Sequence, residues 1–244
     1  METVAVFGST SGIARAVVGE LISQGYNVVL CARSSEALER QARDIKVKHG
    51  KQIETITWDV LDFGRHREKV KHLVENHHIT GAVIAVGVMP SQEDSEQNYG
   101  LIQEVFQTNL TGPVILMTAL AHYFQKKRSG FICCISSVAG DRGRQSNAIY
   151  GSSKGGLSTY LQGLRNKLAP YHVLVQTVKP GQVRTPMTAH MKDSPLFADP
   201  ERVAKDIVKG LEKKREVVYS PFYWRVIMGI IRIIPEFLFK RMKL

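Results

Sequence analysis

At 244 residues the chain is long enough for one sizeable α/β domain or two small ones. Its apolar fraction of 43% and charged fraction of 23% are those of an ordinary folded protein, with no low-complexity segment and no linker. A formal net charge of +11 points to anionic partners such as phosphorylated cofactors, phosphorylated substrates or acidic lipid surfaces; no nucleic-acid partner is expected, because no helix-turn-helix, RNA-stacking or zinc-finger signature accompanies that charge.

Thr3 to Phe7 is a β-rich apolar run, followed by the turn Gly8-Ser9-Thr10-Ser11-Gly12 and a helical pattern to Gln24, which Gly25 closes. Asn27 to Ala32 is a second strand and Ser34 to Lys48 a charged amphipathic helix. Ile53 to Thr57 is the third strand, Asp62 caps a further helix, and Gly81 to Gly87 is the fourth strand. A long helical region spans Gln97 to Lys127 with Gly112-Pro113 interrupting it. Phe131 to Ile135 is the fifth strand, a helix runs from Tyr150 to near Pro170, and His172 to Val178 is the sixth strand. Asp199 caps a helix with Pro200 at its first position, and Glu216 to Tyr219 is the last strand.

Strand and helix alternate, and the strands are continuous apolar runs, the mark of burial on both faces. The fold predicted is α/β: a Rossmann-type doubly wound parallel sheet of about seven strands with helices on both faces. Ligands of such sheets sit beyond the carboxyl ends of the strands, which gathers the loops after Phe7, Ala32, Val86 and Ile135 into one crevice. Cys31, Cys133 and Cys134 fall in strand-like runs, so they read as core residues in a reducing compartment. No metal is expected, and His77 and His78 read as a solvated helix end. The first strand begins almost at Met1, leaving no room for a signal peptide, and a cytoplasmic setting is expected.

The glycine loop after the first strand is the strongest binding signal. Gly8 and Gly12 permit a tight turn close to a pyrophosphate, and Ser9, Thr10, Ser11 and Ile13 complete a loop that opens a helix N-terminus toward that anion. After the second strand an NAD site would place an acid on the ribose; here the run is Cys31-Ala32-Arg33-Ser34. An arginine and a hydroxyl suit a 2′-phosphate, so NADP(H) is predicted over NAD(H). The alternative is a solvated arginine at a helix start. Asp59 is placed to contact an adenine, with Val60 packing on it.

Tyr150 and Lys154 lie four residues apart, on one face of their helix, with Ser137 just past the preceding strand. A phenol beside a cation and a hydroxyl suits a carbonyl undergoing reduction. The phenol's usual pKa near ~10 must fall for it to act near neutrality, and Lys154 together with a positive oxidised nicotinamide is expected to lower it.

Together these motifs resemble the short-chain dehydrogenase/reductase family over about residues 1–220. The glycine motif reads Gly8-Ser9-Thr10-Ser11-Gly12-Ile13-Ala14, with Ala14 in place of the last glycine. The resemblance implies a catalytic set of Asn109, Ser137, Tyr150 and Lys154, in which Lys154 also holds the nicotinamide ribose and Asn109 anchors a water leading from Lys154 to solvent. It further implies cofactor contacts at Asp59, Gly87, Pro180, Gly181, Val183 and Thr185, and a homodimer or homotetramer. One departure is Ile84-Ala85-Val86-Gly87, where the family often has Asn-Asn-Ala-Gly, which leaves the support of that loop open. Phe7 is another, standing where Thr is common.

Within the family, the runs Ser136 to Arg142 and Lys179 to Thr185 are similar to reductases of polyprenyl-phosphate-linked keto-sugars, such as decaprenylphosphoryl-2-keto-pentose reductase. The substrate expected is therefore a small-molecule or lipid-linked carbonyl, with Ser137 and Tyr150 at the carbonyl; Arg142 and Arg144, in the basic loop between them, are candidates for a phosphate, the alternative being a solvated polar loop. A hydrophobic lipid ketone (ketoacyl or sterol-like) is the rival substrate, and a catalytically silent NADP(H)-binding sensor is the rival class. Met187 to Phe197 reads as a cover over the site. Residues 221–244 form a separate basic amphipathic segment in which charges break the apolar runs, favouring a peripheral membrane contact over a span. Packing against the domain or a partner subunit is the alternative.

Overall fold

The computed structural model describes residues 2–192 and 194–242. Seven strands, β1 (Thr3–Phe7), β2 (Asn27–Ala32), β3 (Glu54–Thr57), β4 (Ile79–Ile84), β5 (Gly130–Ile135), β6 (Val173–Pro180) and β7 (Val217–Ser220), form one sheet. Their order is β3-β2-β1-β4-β5-β6-β7 and every pairing is parallel. The predicted doubly wound sheet is the observed one, and its order reverses between β1 and β4, where a crevice opens at the strand ends.

Period-two alternation divides the core. Val4 and Val6 of β1 face one layer, built with α1 (Gly12–Ser23), α2 (Ser35–His49) and α8 (Pro200–Glu212). Ala5 and Phe7 face the other, built with α3 (His66–Asn76), α6 (Gly112–Lys127) and α7 (Ala148–Leu168). Two short helices, α4 (Gln92–Gln97) and α5 (Tyr99–Phe106), precede α6. The three cysteines are free and buried, as expected of core residues. Gly25 closes α1 at φ 88°, its N–H donating to the Ile22 carbonyl while Tyr26 N–H donates to that of Leu21.

Several local expectations are corrected. The break in the long helical region lies at Gln107–Thr111, a π turn, and not at Gly112-Pro113. Pro113 sits in the first turn of α6, directly after the π turn, whose closing N–H, that of Gly112, donates to the Gln107 carbonyl. β4 ends at Ile84 and not at Gly87: its ladders with β1 and β5 stop at the Phe7–Ile84 and Ile84–Cys134 pairs. Asp62 and Asp199 precede helical turns, but neither side chain caps one. Asp62 pairs with Lys69 at 3.0 Å and Asp199 with Arg184 at 3.1 Å. His77 is half-buried and reaches Glu54 at 3.3 Å, whereas His78 is exposed.

The segment after residue 220 is not a separate piece. Its first helix, α9 (Tyr223–Ile233), buries Trp224 and Met228 against Val138, and a short α10 (Glu236–Phe239) follows. Beneath it, Asp141 bonds the Lys179 ammonium with one carboxylate oxygen and accepts from the Tyr219 hydroxyl at 2.7 Å with the other. Burial, and next the Asp141 carboxylate, push the Tyr219 phenol up to about 12. Asp141 and Lys179 are almost completely enclosed, so removing one charge strands the other. Asp141→Asn is expected to cost about 3 kcal/mol in urea unfolding, and adding Lys179→Met to recover roughly half of it. An equal loss in the double variant would contradict the pairing.

Candidate active site

A cavity of about 570 Å³ runs along the carboxyl ends of β1, β4, β5 and β6. Thr10, Ser11, Gly12 and Ile13 line one end, and Ser137, Tyr150 and Lys154 the other. Pro180, Gly181, Val183 and Thr185 form the wall between β6 and the cover, with Gly87 opposite. The predicted glycine loop, Ser–Tyr–Lys group and Pro-Gly turn are thus gathered around one cavity.

The glycine loop is held by β4. Gly8 has φ 73°, and a Cβ there would stand 2.8 Å from the Ala85 carbonyl oxygen. Only glycine allows that approach. Ser11 hydroxyl donates to the same carbonyl at 3.3 Å, and Ala85 N–H donates to the Phe7 carbonyl at 2.8 Å. Main-chain groups therefore secure a loop that lacks the family's asparagines.

Asn109 supplies the remaining support. It lies fully buried in the π turn, accepts from Val88 N–H at 2.8 Å, and donates to the Val88 carbonyl at 2.9 Å and to Ser153 Oγ at 3.2 Å. A π turn shifts the helical register by one residue, which here turns an amide inward. Ser153, on α7 beside Lys154, is a participant that sequence reasoning missed.

Ser137 lies just beyond β5, where its Oγ accepts from Ala139 N–H at 3.1 Å, and it lines the cavity together with Tyr150. Lys154 donates to the Ile135 carbonyl at 3.1 Å, with its ammonium 5.9 Å from the Tyr150 ring centre. The protein's own groups do not produce the expected depression: burial pushes Tyr150 up to about 12, with Ser137 opposing and no contribution from Lys154, while the share expected from an oxidised nicotinamide stands apart. Lys154 is lowered to about 8, again by burial. Desolvation disfavours both charged forms, and the ammonium faces a carbonyl rather than the phenol oxygen. At neutral pH this leaves a protonated phenol beside a hydroxyl, a proton donor aimed into an apolar cavity.

Arg33, Ser34, Asp59 and Val60 do not line the cavity: Arg33 and Ser34 are exposed at the head of α2, and Ser34 Oγ accepts from Ala37 N–H at 3.2 Å. Asp59 is half-buried, with Oδ1 accepting from Leu61 N–H at 2.9 Å. Val60 is buried, its side chain close to Gly112, leaving little of it to pack on an adenine. Its carbonyl accepts from His66 Nε2 at 2.9 Å while His66 Nδ1 accepts from Trp58 Nε1 at 3.2 Å, a brace for this loop that the sequence did not disclose.

The two arginines expected at the substrate separate. Arg142 is engaged by the C-terminal segment: it donates to the carbonyls of Ile231 at 2.7 Å and Ile234 at 2.6 Å, pairs with Glu236 at 2.9 Å, and lies 3.8 Å from the centre of the Phe239 ring. It latches that segment and does not line the cavity. Arg144 does line the cavity. Trp224 lines it too, crossing so close to Gly181 that no side chain fits there. Nothing in the sequence linked a tail tryptophan to this cavity. Met187, Thr188 and Met191 of the expected cover line the mouth; Asp193, within that cover, lies outside the described residues.

Buried side-chain polar atoms without a hydrogen-bond partner, among the described residues, are Ser9 Oγ, Gln41 Oε1, Arg144 Nε, Asn147 Oδ1 and Trp224 Nε1. Ser9 belongs to the glycine loop, and Gln41 donates to its carbonyl at 3.0 Å; the other three residues line the cavity. Such atoms are costly unless something meets them. Among the described residues no cluster suits a metal ion.

The lowered pKa of Lys154 has a sign. Between about 8, its folded value, and 10.5, its ordinary value, the unfolded chain binds more protons, so stability rises with pH. Lys154→Met is therefore expected to stabilise the fold at pH 7 by roughly 2–3 kcal/mol, with the gain fading near ~pH 10.5. Urea unfolding at both pH values checks this; a pH-independent difference or a loss at pH 7 contradicts it.

Comparison with known proteins agrees with this architecture. The family model described as short chain dehydrogenase matches residues 2–195. An uncharacterized oxidoreductase of Mycobacterium tuberculosis is 32% identical over 98% of this chain and 96% of its own length. A 3-oxoacyl-(acyl-carrier-protein) reductase of Aquifex aeolicus is 30% identical over 83% of this chain and 87% of its own. A solved short-chain dehydrogenase from Sphingobium yanoikuyae, in complex with NADPH, superposes with a TM-score of 0.82 at 24% identity, covering 97% of each chain. The chain belongs to the short-chain dehydrogenase/reductase family of oxidoreductases.

Proposed function

We propose that the protein moves a hydride between NADP(H) and a carbonyl/alcohol pair, acting as a reductase at neutral pH. The observation that carries this reading is one cavity lined both by the glycine loop and by Ser137, Tyr150 and Lys154. The glycine loop and the free N–H groups at the start of α1 would hold the pyrophosphate. Arg33 and Ser34 would hold the 2′-phosphate, because no acid stands after β2 to repel it. The NADPH in the similar Sphingobium yanoikuyae structure is in keeping with that reading. When bound, the nicotinamide supplies the hydride.

The chain's own groups then handle the oxygen. Ser137 Oγ donates a hydrogen bond to the substrate carbonyl and holds the charge that develops on it. Tyr150, neutral because it is buried, gives its proton to that oxygen. Lys154 lies beside Gly87, where it would take the nicotinamide ribose, and Asn109 keeps the Val88 backbone and α7 in register with it. The assembled Tyr150 and Lys154 favour an enzyme over a silent NADP(H) sensor.

For the substrate, we infer an apolar carbonyl compound that carries an anionic group. The wall is largely apolar, while Arg144 adds a cation away from the glycine loop. A keto-sugar on a polyprenyl phosphate has both characters. The relative from Aquifex aeolicus favours a second reading, a 3-oxoacyl chain on an acyl-carrier protein.

Tyr150→Phe is expected to lower NADPH oxidation at least ~100-fold, the scale of general acid catalysis, with NADPH binding nearly unchanged. Full activity in that variant would sink the mechanism. Arg33→Ala is expected to raise the KM for NADPH about 10- to 100-fold while leaving that for NADH unchanged, the worth of a charge-assisted phosphate contact. An unaltered cofactor ratio would count against the phosphate assignment.

A further inference from the structure

The C-terminal segment has a three-sided helix. One face of α9 is built into the protein: Trp224 and Met228 are buried, and Ile227 and Ile231 pack beside them. A second face carries Tyr223, Val226, Ile230 and Ile233, which follow a helical repeat and are all exposed, Ile233 by 79%. The third side carries Arg225 and Arg232, both exposed. Beyond Pro235, exposed Phe237 and Leu238 are followed by exposed Lys240 and Arg241. A helix packed only on the fold needs one apolar face, and here there are two.

We propose that α9 and α10 dock the protein on an anionic lipid surface, with the second apolar face of α9 in the headgroup boundary and the basic side chains on the lipid phosphates. Three observations carry this occupant. Residues 221–244 hold five basic side chains and the single acid Glu236, which Arg142 already neutralises. The same charges disfavour a second copy, since a two-fold contact through this face brings Arg225, Arg232, Lys240 and Arg241 against their equivalents. The Arg142 latch fixes the end of α9 to Glu236 of α10, so the face is presented by a rigid support. Among the described residues no helix is long and apolar enough to cross a membrane, so the contact is interfacial.

Docking in this way places the active site at the lipid boundary. Trp224 of the same helix is a wall of the cavity, and Tyr223 hydroxyl donates at 3.0 Å to the carbonyl of Leu196 in the cover, whose Met187, Met191 and Leu196 are exposed. An apolar substrate leaving the bilayer meets the mouth of the cavity directly. The docking claim itself stands whether or not the catalytic reading does.

The test uses the full chain with vesicles of phosphatidylcholine alone or with a quarter phosphatidylglycerol. Co-sedimentation is expected to be at least ~10-fold stronger with the anionic vesicles and to weaken as salt rises. The double variant Ile230→Glu/Ile233→Glu, altered only on the exposed face, is expected to lose that binding at least ~10-fold, while keeping its circular dichroism and its NADPH binding. No sedimentation of the native chain, or equal binding by the double variant, overturns the proposal. So does a native dimer that the double variant dissociates without any vesicle binding, which would make this face a contact between copies.

Discussion

Asn109 is the interaction on which the site depends. Its amide holds both backbone groups of Val88, on the loop that leaves β4, and reaches Ser153 on α7. Through Ala85 that same loop grips the glycine turn, and through α7 it grips Tyr150 and Lys154. One buried amide therefore joins the nucleotide end of the cavity to its proton-transfer end. The π turn is the local irregularity that lets an otherwise regular helical run deliver the side chain there. A buried amide with these partners resists displacement, because breaking the arrangement strands polar groups on three elements.

The chemistry rests on an energetic conflict set up by that rigidity. Burial is unfavourable to the charge on Lys154 and to the phenolate of Tyr150 alike, and it moves them in opposite pKa directions. The outcome is a neutral phenol and a cation held at reduced basicity, which suits donation of a proton to a nascent alkoxide. Such groups weaken the fold and are retained where function needs them. The unpaired atoms of Arg144, Asn147 and Trp224 express the same tension on the substrate side.

Much of this was legible in the sequence because it depends on local pattern. Continuous apolar runs disclose a buried parallel sheet, and Gly8, Ser137, Tyr150 and Lys154 stand at strand ends or at helical spacing. What escaped depends on contacts between distant parts of the chain. Arg142 and Arg144 are two residues apart and chemically alike, yet one latches the tail and the other faces the cavity. Trp224 belongs to a segment that composition marks only as amphipathic, and its inner and outer faces become distinct once Val138 and Gly181 lie beneath it. Proline in a helical run was read as the break, whereas the break belonged to the preceding π turn.

The central claim is that one cavity joins nucleotide binding to the Ser137–Tyr150 pair. The most direct measurement is a crystal structure of the full chain with NADPH. The account predicts the pyrophosphate on the Gly8–Gly12 turn, the 2′-phosphate at Arg33, and the nicotinamide between Gly87 and Tyr150. A cofactor bound elsewhere, or one with its nicotinamide turned away from Tyr150, would contradict it.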